Sequence, residues 1–332
     1  MFLLTTMLLL LSFLAVPGMD LSTLSTDFGG RRELIQLFNT ARLAAGDRLF
    51  NLGIIGSDGW IFYSGEQSIL DYEHRARLTQ AELQHLQQEL DRLDADLHQQ
   101  SRILLVAIPP NKSTVYAQYM PREIPVFRAA SRLDDFLAYM KAHGQAHILD
   151  LRSALITASQ SEDVYYKTDT HWNDTGAYIA YSEIMQTLAA DYPVLQPHPL
   201  ADFRRSYAEE TRDLPRLMGM PQVMEGSWHL LPTLRSEGRT RSVPLSERRA
   251  LQFTINPNPA LPSLLIFHDS FYYVGLARFM EPHFSRITAV PNTDDLGIWS
   301  TDWIETQRPD IVIIEVTERY LDTLLPLLGS AK

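Results

Sequence analysis

Leu264-Leu265-Ile266-Phe267-His268-Asp269-Ser270-Phe271 decides how this chain folds. An unbroken apolar run of strand length meets a short polar corner, and a helix is expected to start at once. Continuous apolar runs fit strands buried on both faces, as in parallel sheets. The same texture recurs at Ile103-Leu104-Leu105-Val106-Ala107-Ile108, at residues 146–151, at 286–290 and at 310–316. Helical periodicity fills the intervals. Over 79–102, Leu86, Leu90, Leu93 and Leu97 share one face, with Thr79 and Glu82 placed as a capping box. Further helices are expected over 133–143, from Asn173 or Asp174 to Leu188, over 271–284 and over 320–328. Strands alternating with helices specify an α/β fold, a doubly wound and mainly parallel sheet.

Outward from this core the pattern changes. Residues 20–50 read as helical, and Gly53, Gly56 and the Asp58-Gly59 pair ahead of Trp60-Ile61-Phe62-Tyr63 read as a hairpin. Residues 192–260 show prolines, arginines and short apolar scraps, so they are read as an irregular insertion or lid. Phe2 to Met19 carries no charge and is mostly Leu, Phe, Met and Val. Its length falls between a signal-peptide core and a membrane span. Residues 1–20 are therefore expected to be an export signal or N-terminal anchor, and 21–332 one domain.

Composition excludes several classes. The net charge is −11, and no basic cluster is interleaved with aromatics, so no nucleic-acid partner is expected. The chain has no cysteine, which removes disulfides, thiolate nucleophiles and Cys-based metal sites. His171 with Asp169 and Asp174, or His268 with Asp269, offers metal-type ligands. Neither place has a further histidine at metal spacing, and no metal or cofactor is expected. Gly53, Gly56 and Gly59 lack the Lys-Ser/Thr of a phosphate loop.

Two segments carry chemistry. In open α/β sheets ligands bind outside the carboxyl ends of the strands, where Ser270 stands. A serine there presents its hydroxyl to the crevice and its N–H at a helix start, suited to stabilising an oxyanion. The plainer alternative is that Ser270 only caps the helix, with Asp269 satisfying backbone donors. The second segment is Lys167-Thr168-Asp169-Thr170-His171-Trp172-Asn173-Asp174-Thr175-Gly176. In extended backbone Asp169 and His171 point to one side. A serine hydroxyl needs a base, and an imidazole serves when a carboxylate holds its tautomer. The alternative is a loop pair capping the next helix. Together the two segments favour a Ser270–His171–Asp169 triad.

Tyr166-Lys167-Thr168-Asp169-Thr170-His171-Trp172 with Gly176-Ala177 resembles the Asp-x-His-Trp block of the alginate O-acetyltransferase family, periplasmic SGNH-hydrolase-like proteins. Residues 54–63, the Pro109-to-Tyr116 block with Lys112, the corner His268-Asp269-Ser270-Phe271 and the closing segment 309–320 resemble the family's other blocks in order. His268 stands where that corner carries glycine.

The resemblance implies Ser270 as nucleophile, His171 as base and Asp169 as its orienting acid. It implies an exopolysaccharide O-acetyltransferase, in the periplasm, soluble after signal cleavage or tethered by residues 2–19. The partners implied are a polysaccharide acceptor, a membrane-bound acyltransferase as acetyl source and exopolysaccharide assembly proteins. Trp172, Lys112 and Tyr272 are candidate substrate contacts, and Tyr273, Trp299 and Trp303 are further aromatics for sugar stacking. A polysaccharide acetyl esterase with the same triad and a non-catalytic polymer-binding scaffold are the competing readings.

Overall fold

The computed structural model of the chain describes residues 31–220, 222–233, 238–246, 250–292 and 299–329. The expected export signal or anchor lies outside them. Among the described residues no helix is long and apolar enough to cross a membrane.

After a helix over Arg31–Ala44 comes a small antiparallel sheet: β1 (Leu49–Phe50), β2 (Gly53–Ile55) and β3 (Ile61–Tyr63). The expected hairpin is its β2–β3 pair. The strands that follow are β4 (Ile103–Ile108), β5 (Ile148–Asp150), β6 (Phe203–Glu210), β7 (Glu225–Pro232), β8 (Arg239–Pro244), β9 (Ala250–Ile255), β10 (Ser263–His268), β11 (Arg286–Pro291) and β12 (Ile311–Glu315). The main sheet among the described residues has seven strands in the order β5-β4-β12-β10-β11-β9-β8. From β5 to β11 every pairing is parallel, and β9 and β8 add an antiparallel edge. The sheet is doubly wound and mainly parallel, as expected.

Both faces of the central strands β4, β12, β10 and β11 are dry, and strand alternation divides them. Leu105, Ala107, Leu264, Ile266, Ile311 and Ile313 pack on one side with Ala177, Tyr181, Ile184 and Leu188. Leu104, Val106, Leu265, Phe267, Val312 and Ile314 pack on the other with Leu86, Leu90, Phe136 and Met140. The second layer is made by α1 (Gln80–Gln99) and α2 (Arg132–His143), the first chiefly by α3 (Asp174–Leu188). The expected capping box starts α1: Thr79 accepts from the Glu82 N–H at 3.2 Å, and Glu82 accepts from the Thr79 N–H at 2.6 Å. Asn173 caps α3 through the Gly176 N–H at 3.0 Å. Gly176 is needed there, because a Cβ would sit 2.1 Å from the Val164 carbonyl oxygen.

Two expectations need correction. Residues 192–260 are not short of regular structure: they hold β6 to β9. β6 and β7 form a two-stranded ribbon, and β8 and β9 join the main sheet. Ribbon and edge positions such as Arg204, Tyr207, Glu209, Arg239 and Arg241 face solvent, so no apolar face betrays the strands. The helix expected over 271–284 is also not uniform. It is π-helical over Tyr272–Leu276, α-helical over Ala277–Met280 and 3₁₀ over Glu281–His283. Such widened turns recur at functional sites.

Candidate active site

β10 delivers Ser270 to the carboxyl edge of the sheet, and the corner around it is pinned from several sides. The Asp269 carboxylate accepts from the Phe271 N–H and from the Thr317 N–H, both at 2.8 Å, which ties the corner to the loop after β12. The Asp269 N–H donates to Glu315 at 3.0 Å. Glu315 is fully buried, and burial together with the nearby Asp269 charge pushes its pKa well up. His268, in the position the resemblance associates with glycine, is buried too. Its Nδ1–H donates to the Asp269 carbonyl oxygen at 2.7 Å, and its ring lies 4.6 Å from that of Tyr272. Burial pushes this imidazole down to about 4, so it is neutral at pH 7 and serves to brace the turn.

His171 and Asp169 arrive on a loop closed by an isolated bridge between Tyr165 and Trp172. The carboxylate and the imidazole meet, as expected, though through a turn rather than extended backbone: Asp169 also accepts from the His171 N–H at 3.1 Å. Lys112, the first residue of a short helix that follows β4, secures the loop. Its Nζ donates to the carbonyl oxygens of Tyr166 (3.2 Å), Lys167 (3.0 Å) and Asp169 (2.6 Å). From the other side Glu225 of β7 accepts from the N–H groups of Lys167 and Thr168, each at 2.8 Å.

The result is a relay. Ser270 Oγ lies 2.8 Å from His171 Nε2, and His171 Nδ1 lies 2.7 Å from Asp169 Oδ1. Only a proton on Nδ1 satisfies the carboxylate, which leaves Nε2 free to accept from the serine hydroxyl. Burial works against ionisation of Asp169, but the His171 hydrogen bonds and charge and the Lys112 ammonium outweigh it and hold the carboxyl down to about 2. Ser270 and His171 remain partly exposed, so a substrate can reach them.

A second carboxylate, which no local motif marks, stands behind the first. Asp213 accepts from the Thr170 N–H at 2.8 Å, its own N–H donates to Asp169 at 3.3 Å, and its Oδ2 is 3.9 Å from His171 Nδ1. Burial and the adjacent Asp169 push its pKa up. Asp169, His171 and Asp213 place ligand-type atoms within 4.8 Å of one another, a set that can hold a cation. Such an ion would compete for the nitrogen that Asp169 already holds at 2.7 Å. Asp174 is not in that set; it pairs instead with Arg278.

The expected substrate contacts are not surface groups. Trp172 is 0% exposed and packs edge-on against Phe271 at 4.9 Å. Tyr272 is 2% exposed. Lys112 is 4% exposed and spends its three N–H groups on backbone carbonyls. Each supports the site from behind, and Tyr273 is the neighbour that faces out.

Burial lowers the Lys112 pKa to about 8. Below that pH the ammonium has a donor for each of its carbonyl partners, and above it the neutral amine has one too few. The rate of any reaction run by this relay is therefore expected to fall as pH rises through about 8. Initial rates across pH 6–10 check this, and a plateau up to pH 10 contradicts it.

Residues 54–253, more than half of the chain, match the family model described as SGNH hydrolase-like domain, acetyltransferase AlgX. The chain belongs to this family. Among curated relatives, a probable alginate O-acetylase AlgJ from Pseudomonas putida is 29% identical over 302 residues, 82% of this chain and 72% of that protein. The AlgJ of Pseudomonas aeruginosa is 31% identical over 144 residues, 42% of this chain and 35% of that protein, so this match spans about a third of the relative. Among solved structures, Bacillus cereus PatB1 with a sulfonyl adduct aligns with a TM-score of 0.61 at 14% identity, over 83% of this chain and 97% of that one. At that identity the likeness speaks for the fold alone.

Proposed function

We propose that this AlgX-family chain is an O-acetyltransferase that carries an acetyl group on Ser270 and passes it to a hydroxyl of a polysaccharide. The observation that carries the reading is the relay Ser270 Oγ–His171 Nε2–His171 Nδ1–Asp169 Oδ1, at 2.8 and 2.7 Å, at the carboxyl end of β10. Ser270 Oγ attacks the carbonyl carbon of an acetyl donor while His171 Nε2 takes its proton. The tetrahedral oxyanion forms beside the Ser270 N–H at the helix start. It collapses to acetyl-Ser270, and the imidazolium returns the proton to the leaving group. A sugar hydroxyl then attacks, His171 accepts its proton, the new sugar ester departs and Ser270 Oγ is reprotonated. Asp169, ionised throughout, orients and stabilises the imidazolium.

Family membership supports transfer, and the relatives' names support an alginate-type exopolysaccharide as acceptor. The same reading places the reaction in the periplasm, with the acetyl group coming from a membrane-bound acyltransferase and with exopolysaccharide assembly proteins nearby. The uncharged stretch 2–19 supports export, followed by cleavage or tethering.

The test uses a chromogenic acetyl ester with intact-mass detection, with and without an alginate oligosaccharide. A burst of chromophore, one added acetyl on the protein and acetylated oligosaccharide are expected. Burst and adduct with only free acetate as product convert the assignment to an esterase. Neither burst nor adduct from folded protein overturns the enzyme reading and leaves polymer binding as the function to examine.

A further inference from the structure

Past Ser270, the helix leaving the corner lines a cavity of about 290 Å³ that the relay does not use. Its wall carries Tyr273 and Arg278 from the helical segment, Glu281 just beyond, Gln252 from β9 and Thr240 from β8. This volume is at the small end of the range for ligand pockets, enough for one ring rather than an extended chain. Position also matters. Gln252 lies opposite Ala289 of β11, two residues from the carboxyl end of that strand, and Thr240 lies further back, level with Ile287 through Thr254, so the cavity runs from near the sheet edge that carries Ser270 back along β8 and β9.

The lining groups are chemically mixed. Tyr273 comes three residues after Ser270 and is 49% exposed, while Tyr272 beside it is buried. A half-exposed phenol ring offers an apolar face and a polar tip. Gln252 supplies both donor and acceptor, Thr240 a hydroxyl and Glu281 an acceptor. Arg278 is held at one end by its ion pair with Asp174, the first residue of α3, and its Nε has no hydrogen-bond acceptor among the described residues. Asp174 follows His171 by three positions, so the arginine that borders the cavity is anchored to the segment that carries the base. The π-helical turn Tyr272–Leu276 sets this wall, and Gly275 lets it press on α3: a Cβ there would sit 2.7 Å from Ala177 Cβ.

We propose that this cavity is the acceptor subsite, in which Tyr273 stacks on one pyranose ring while Gln252, Thr240, Arg278 and Glu281 bind its hydroxyls beside acetyl-Ser270. The inference rests on the transferase reading and adds to it the groups that select a sugar over water. An aromatic face ringed by donors and acceptors matches a pyranose, which has an apolar ring face and a rim of hydroxyls. The buried Trp172 and Tyr272 cannot offer such a face.

Tyr273→Ala, Tyr273→Phe and Gln252→Ala separate the possibilities, each assayed in the full chain with the chromogenic ester and an alginate oligosaccharide. The expected result is an acceptor KM raised about tenfold in Tyr273→Ala and severalfold in Gln252→Ala, as for contacts at the centre of a binding site. Tyr273→Phe, which keeps the ring, stays within about threefold of the parent. The burst without acceptor reads acylation separately. An unchanged acceptor KM in Tyr273→Ala and Gln252→Ala, with the burst intact, overturns the subsite. A burst and a transfer rate that fall by the same factor in Tyr273→Ala also overturn it, since the ring would then serve the corner rather than the acceptor. Absence of any burst in the parent protein instead removes the transferase reading itself.

Discussion

Ser270→Ala and His171→Ala are each expected to lower turnover of the chromogenic acetyl ester by on the order of 10⁶, and to abolish the acetyl adduct. The size follows from the wiring. Ser270 Oγ is the atom that takes the acyl group, and its 2.8 Å contact to Nε2 is the route by which its proton leaves. Without the hydroxyl there is no acyl-enzyme, and without the imidazole the hydroxyl stays protonated and weakly nucleophilic. The two act as a unit, so the double variant should be no worse than either single one. Folding is expected to survive. The side-chain hydrogen bond that Ser270 gives up is its contact with His171, a loss of about 1 kcal/mol, and the corner stays pinned through Asp269, Glu315 and Thr317. Intact-mass spectra and thermal melts of the same samples check both halves. An acetyl adduct that persists in a folded Ser270→Ala protein would move the nucleophile elsewhere.

Much of this site was legible because its two segments carry local signals. The run Leu264 to Phe267 ends at a polar corner, which reads as a buried parallel strand, and a serine at its carboxyl end stands where α/β sheets bind ligands. Asp169 and His171 are two residues apart, so their meeting needs no long-range information. What was hidden depends on distance along the chain. Asp213 lies 44 residues beyond Asp169 and Glu225 lies 57 beyond Thr168, inside a stretch whose strands are polar on exposed faces. A solvated ribbon has no hydrophobic period to detect, so neither β6–β7 nor the carboxylate that ends it against the His171 loop could be placed. Trp172 and Tyr272 misled for a related reason. Adjacency to a catalytic motif says nothing about which way a side chain turns, and the bridge to Tyr165 and the π-turn send both rings into the core. Lys112 was marked by the Pro109-to-Tyr116 block, but its three carbonyl partners are a tertiary fact.

The hidden Asp213 sets up the sharpest contrast among the carboxylates. Asp169→Asn is expected to lower acyl transfer by about 10⁴, and Asp213→Asn by less than about tenfold. Asp169 Oδ1 lies 2.7 Å from Nδ1, whereas Asp213 Oδ2 lies 3.9 Å away, beyond hydrogen-bond reach. An amide at 169 can turn its NH₂ toward Nδ1. That stabilises the tautomer with the proton on Nε2, which then cannot accept from Ser270. The amide also supplies no charge to balance the imidazolium. The two carboxyls differ in ionisation in the same sense. His171 and Lys112 hold Asp169 down to about 2, against the opposing effect of burial, so it is charged at neutral pH. Burial and the Asp169 charge push Asp213 the other way. Removing its charge should relieve repulsion on Asp169 while keeping an oxygen to accept from the Thr170 N–H. The pH profile supplies the discriminating measurement. With Asp169 intact, the acid limb of kcat/KM reports the free enzyme's essential base, and Asp213→Asn should leave its shape unchanged. If instead Asp213→Asn costs as much as Asp169→Asn and removes that limb, the base is oriented by the pair of carboxylates together, and the orienting role assigned to Asp169 alone is wrong.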